Sequence, residues 1–131
     1  MSDLTSLLTY RMDQAESTLN DAVKMSPSGV SPRSIVNRCY YAMFYAPLAL
    51  FLKAGIAART SRHSGVIGRF NKEFVQTGKI EKKYSKMLHG LFDSRQEFDK
   101  REFSETLPED AESALNQTRE FVTEIKRLVH E

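Results

Sequence analysis

The most apolar segment of the chain, NRCYYAMFYAPLALFLKAG from Asn37 to Gly55, also carries an arginine and three tyrosines. At helical spacing Arg38, Tyr41 and Tyr45 stand at i, i+3 and i+7, on one face, with Tyr40 beside them. A guanidinium flanked by phenol rings is the material of a cationic pocket with aromatic walls. The plainer reading is a core helix whose tyrosines bury their rings and leave their hydroxyls at the rim.

Two further positions break the apolar pattern. Arg95 lies four residues after Leu91 and three before Phe98, so it falls on the inner stripe of its segment. An unpaired charge in a core costs several kcal/mol, so Arg95 either reaches a partner or looks into a cleft. Asp99, one turn on, is the obvious intrahelical partner. His63 stands four before Ile67 and seven before Phe70, at the inner edge of a first turn, among Arg59, Arg62 and Arg69. That basic helix entrance suits an anion such as phosphate, or else is a solvated connector with a histidine that donates to a neighbour.

Other chemistries are disfavoured. Cys39 is the only cysteine, which excludes a disulfide framework or a cysteine-based metal site within one chain. The histidines at 63, 89 and 130 are far apart, and no HxxxH or ExxH pair occurs. No metal or cofactor is expected. The net charge of +2 is too small to argue for nucleic acid by itself. The run from Tyr40 to Leu52 is short for a bilayer and broken by Pro47, and Met1–Thr9 lacks a basic leader. A chain without membrane association, in the cytoplasm, is expected.

These side chains must be held by helices. Leu4, Leu8, Met12, Ala15, Leu19 and Ala22 line one face of a first helix from about Asp3 to Met25. Ser31 and Pro32 suit the start of a second, ending before Gly55, which is apolar nearly all round and therefore central. Pro47 predicts a kink in it. Thr60 or Ser61 opens a third, with Val66 or Ile67, Phe70 and Phe74 inside and Gly78 at its end. The fourth spans about Ile80 to Lys100. The fifth starts at Pro108 and buries Ala111, Leu115, Thr118, Phe121, Val122, Ile125 and Leu128. No segment alternates with period two, so residues 1–131 are expected to form a single all-α domain of antiparallel neighbours.

The string NRCYYAMFYAPLAL, followed by RHSG and later by SRQEFD, resembles the HEPN domain family, and within it the UPF0332-like group. The matching positions are Arg38, Tyr40, Tyr41, Ala42, Met43 and Phe44, then His63 with FNKEFVQTG, then Arg95 and Asp99. Lys100 stands where the family usually has tyrosine, and Pro47 where alanine is expected. The resemblance implies an up-and-down antiparallel four-helix bundle with a shorter fifth helix, frequently a homodimer. It also implies a neighbour of the minimal nucleotidyltransferase kind, in a toxin–antitoxin-like pair.

Many HEPN proteins are metal-independent ribonucleases using an arginine, four to six residues, then a histidine. In that chemistry the histidine moves a proton at the ribose 2′-hydroxyl and the arginine stabilises the phosphorane. Here His63 would need an arginine among Ile56, Ala57 and Ala58. His89 would need one among Lys82, Lys83 and Tyr84, and His130 one among Thr123, Glu124 and Ile125. The motif is absent. Two readings follow. One is a binding module for a nucleotide, RNA or partner protein through Arg38, Tyr41, Tyr45, His63 and Arg95. The other is a ribonuclease with a non-standard site built from His63, Arg95 and Asp99.

Overall fold

The computed structural model describes residues 3–56, 63–100 and 106–131, without the side chains of residues 63, 64 and 94–100. Its helices are α1 (Asp3–Met25), α2 (Pro32–Ala54), α3 (His63–Phe70), α4 (Lys82–Lys100) and α5 (Pro108–Val129), and a π-helical turn, Asn71–Val75, continues α3. No strand occurs among the described residues.

The helix ends follow from local chemistry. The Ser31 hydroxyl accepts from the Ser34 backbone N–H at 3.3 Å, and Pro32 follows at the first helical position, where no donor is needed. At the other end of α2, Gly55 takes a left-handed φ of 73°, which lets its N–H return to Leu52 and the Ile56 N–H to Phe51. The Leu107 N–H opens α5 by donating to the Asp110 carboxylate at 2.9 Å, and Glu109 and Asp110 face the positive end of the helix. The π turn is closed by the Gln76 N–H donating to the Asn71 carbonyl at 2.8 Å, five residues back.

Side-chain pairs give the helix directions. Tyr84 meets Phe121, and Gly90 and Leu91 share a cavity wall with Ala114, so α4 and α5 are antiparallel. Cys39 lies against Thr118, and Lys53 donates to the Leu128 carbonyl, so α2 and α5 run the same way on a diagonal. The ion pair of Lys126 with Glu16, at 3.0 Å, joins α5 to α1. The four long helices α1, α2, α4 and α5 make the up-and-down bundle, and α3 with its π turn is the short fifth element.

Helix α2 is the centre. It touches α1, α3, α4 and α5, and Cys39, Tyr40, Ala42, Met43, Ala46 and Ala49 are fully buried on it. By length and composition alone α2 could cross a membrane, but it is mostly enclosed by its neighbours, as the core helix of a soluble protein is. It continues on both sides of the buried Pro47. Rings bind the short element to the rest: Phe74 stacks on Phe51 at 6.0 Å, and Phe70 meets Phe121 at 5.7 Å.

Three expectations need correction. Leu4, expected on the inner face of α1, is 52% exposed, with Leu7 at 43% and Tyr10 at 58%. The buried stripe of α1 begins only at Met12 and runs through Ala15, Thr18 and Ala22. The third helix does not run unbroken to Gly78, because it widens into the π turn after Phe70. The fourth begins at Lys82, not Ile80, since Ile80 is spent in the turn, where its N–H donates to the Phe74 carbonyl at 2.9 Å. Thr60 and Ser61, the expected start of α3, lie outside the described residues.

Candidate functional site

On α2 the apolar surplus turns inward, and what is left over faces out as a small polar-aromatic surface. Arg38 is exposed and has no ion-pair partner among the described residues. Tyr41 and Tyr45 are half-buried, packed against the core, with ring centroids 6.1 Å apart and planes tilted by 33°. Tyr41 and Tyr45 therefore meet at the edge of the core, and Arg38 stands one turn before Tyr41 on the same helix.

A row of rings ties this surface to α4. Tyr40, fully buried, meets Tyr41 edge-on at 5.5 Å, stacks on Phe44 at 6.4 Å, and lies 6.0 Å from Phe92 of α4. Edge-to-face and offset contacts of this kind add to simple burial. The two readings of the tyrosines thus divide between residues: Tyr40 is core, while Tyr41 and Tyr45 form the rim.

Arg95 and Asp99 lie on α4, one and two turns beyond Phe92, and His63 is the first residue of α3. Their side chains lie outside the described residues, so neither the Arg95–Asp99 pair nor a pocket shared with Arg38 is described. The backbone still limits their levels. Phe74 meets Phe51 while Phe70 meets Phe121, so α3 runs in the same sense as α2. At about 1.5 Å per residue its first turn therefore lies toward the middle of α2 and not at the Gly55 end.

Buried beneath the surface, Cys39 shows what this core does to an ionisable group. Desolvation pushes its thiol up to about 11, against smaller opposing effects from the Thr118 hydroxyl and Arg119. It is a free, buried thiol. Among the described residues no three His, Cys, Asp or Glu side chains group as metal ligands.

One cluster escaped the sequence reading, which weighed His89 only for lacking an arginine upstream. Asn71, which opens the π turn, accepts from the Ser85 hydroxyl through its carbonyl oxygen and meets His89 Nε2 at 2.8 Å through its amide nitrogen. The signal was present as serine and histidine four apart on α4, but their partner is 14 residues before Ser85, across a turn.

A bundle of four long helices and one short one is consistent with a HEPN domain. The HEPN domain model matches residues 8–128, and the chain belongs to that family. It is 34% identical to a UPF0332 protein of Thermotoga maritima over all of this chain and 97% of the relative. Two proteins of Methanocaldococcus jannaschii, each named “putative toxin”, are both 33% identical to it. One match covers 72% of this chain and 63% of the relative, the other 76% and 72%.

Proposed function

We propose that this HEPN domain is a binding module, the toxin-like half of a two-protein pair in the cytoplasm. It engages a minimal nucleotidyltransferase through the surface of α2 that carries Arg38, Tyr41 and Tyr45. The observation that carries this reading is the contrast along the middle of α2: a helix mostly enclosed by four neighbours leaves an arginine and two tyrosine rims toward solvent. Arginine and tyrosine are, with tryptophan, enriched among residues that dominate binding energy: tyrosine joins a large ring and a hydroxyl to few rotatable bonds, and the arginine guanidinium presents a planar fork of donors. The names of the two archaeal relatives agree with it. In this reading the side chains of His63 and Arg95, which lie outside the described residues, supply charge for a phosphate of the partner's nucleotide.

The test is capture of a co-expressed nucleotidyltransferase by the wild type and by Arg38→Ala and Tyr45→Ala variants. Each variant is expected to weaken capture by about 10-fold or more, and Arg38→Ala should leave the melting temperature nearly unchanged. Equal capture by all three proteins would sink the reading. Incubation of the wild type with labelled RNA in EDTA decides the rival case: cleavage abolished by both Arg95→Ala and His63→Ala would install the ribonuclease instead.

A further inference from the structure

At the end of the bundle away from Arg38, α2, α5 and the turn after the π element leave a cavity of about 380 Å³ open between them. Its walls are mostly apolar, with Leu50 and Ala54 from α2, Phe74 from the π turn and Leu128 from α5. Leu50 and Phe74 are buried, and Phe74 is stacked on Phe51, so the floor is firmly packed. Lys53 and Lys79, both exposed, complete the lining together with one acid, Glu131.

The charges at the opening lean to one sign. The Glu131 carboxylate is engaged by Arg127 at 3.3 Å, whereas Lys79 has no ion-pair partner among the described residues. The turn fixes where Lys79 starts: Gly78 takes a left-handed φ of 79°, its N–H returns to the Val75 carbonyl at 3.1 Å, and the Ile80 N–H donates to the Phe74 carbonyl at 2.9 Å. Lys53 Nζ donates to the Leu128 carbonyl at 2.9 Å and to the Glu131 backbone oxygen at 2.7 Å, which leaves its third N–H for a ligand. Bare carbonyls at the ends of two helices would repel an anion. Here they are occupied, by Lys53 on α5 and on α2 by the Gly55 and Ile56 N–H groups, which return to Leu52 and Phe51. The opening therefore sets ammonium donors over an apolar floor.

We propose that this cavity binds a medium-chain fatty acid as the free carboxylate, its chain on Leu50, Phe74 and Leu128 and its head at Lys79 and Lys53. Small-molecule pockets join a mostly apolar lining to a few placed polar groups, at roughly 300 to 1,000 Å³. This one lies near the lower end, which suits a single chain. A neutral apolar molecule would leave Lys79 unused, and a small polar anion would leave the floor wet, so the ligand needs both ends. An apolar body with an anionic head also describes a membrane lipid. The large apolar side chains exposed among the described residues sit elsewhere, however, at Leu4, Leu7, Tyr10, Val30 and Leu107, so none frames this opening to enter a bilayer. The cavity stands roughly 20 Å along α2 from Arg38, and the inference does not rest on the partner-binding surface.

The experiment is calorimetric titration of the full chain with sodium octanoate and, separately, with octanol. The wild type should bind one octanoate with a Kd on the order of 100 µM, and octanol about tenfold more weakly. Lys79→Ala should weaken octanoate about fivefold and leave octanol unchanged, a split that a loss of fold would not produce. Ala54→Trp, which fills the cavity from an exposed position, should abolish binding of both while the melting temperature stays near that of the wild type. Arg38→Ala should bind octanoate as the wild type does, and phosphatidylglycerol vesicles should not carry the protein down on sedimentation. The proposal is overturned by no heat with octanoate, by octanol matching it, by unchanged octanoate affinity in Lys79→Ala or Ala54→Trp, or by vesicle capture. The last result would reassign the opening to a membrane surface. A failed nucleotidyltransferase capture leaves this result unaffected.

Discussion

Cys39 and Arg38, neighbours in sequence, show how strongly position on a helix decides what a side chain can do. Cys39 points into the core, where desolvation pushes its thiol from 9.0 up to about 11. At pH 8 it is then roughly one part in a thousand thiolate, and the thiolate is the reactive form. A disulfide reagent is expected to leave the native protein unlabelled at pH 8 and to label one thiol after denaturation; rapid labelling of the folded protein would refute that placement. The sign of the linkage follows. The folded state holds this proton more tightly than the unfolded chain, so the contribution is complete below pH 9 and is lost as pH rises toward 11. The loss is on the order of 2–3 kcal/mol. Urea unfolding at pH 7.5 and 10.5 measures it, and a Cys39→Ala variant should show a shallower decline. Arg38, one residue earlier, faces water, and its truncation should cost recognition and not stability.

At the scale of elements, the short α3 is held by rings and not by length. Eight helical residues with a π turn are too few to be stable alone, and Phe70 and Phe74 anchor them on Phe121 and Phe51. Phe121 also meets Tyr84 at 6.2 Å, so one side chain joins α3, α4 and α5. Phe121→Ala is expected to cost about 3–5 kcal/mol in urea unfolding. Leu4→Ala, on the exposed end of α1, should cost less than about 0.5 kcal/mol. Similar costs for the two would contradict the described burial. Gly55→Ala should lose about 1 kcal/mol, because its left-handed φ of 73° disfavours a Cβ while nothing lies within 4 Å to clash with one.

For the whole molecule, the question is what covers the apolar surface that remains. The apolar surplus of α2 is consumed by four neighbours within one chain. The homodimer that the family resemblance implies is proposed instead through α1, where Leu4, Leu7 and Tyr10 are exposed together over two turns. Sedimentation equilibrium should give a dimer that Leu4→Glu with Leu7→Glu converts to a monomer. A wild type that is monomeric at all concentrations would remove that part of the proposal.

Sequence alone determined the helices and the core. Periodicity of three and four fixes which face is apolar whatever the partner is, and Ser31, Pro32, Gly55 and Pro108 mark ends through backbone constraints that act locally. The run around Arg38, Tyr41 and Tyr45 was legible for the same reason, since residues three and four apart on a helix must share a side. The end of α1 differs from expectation because an apolar residue at the right spacing is buried only if a neighbour reaches it, and none among the described residues covers Leu4. Only the tertiary structure decided the rest: that Tyr40 belongs to the core while Tyr41 stays at the rim, and that Asn71 bridges Ser85 and His89. Those choices depend on which helix lies opposite, and contacts between residues distant along the chain leave no period in the sequence.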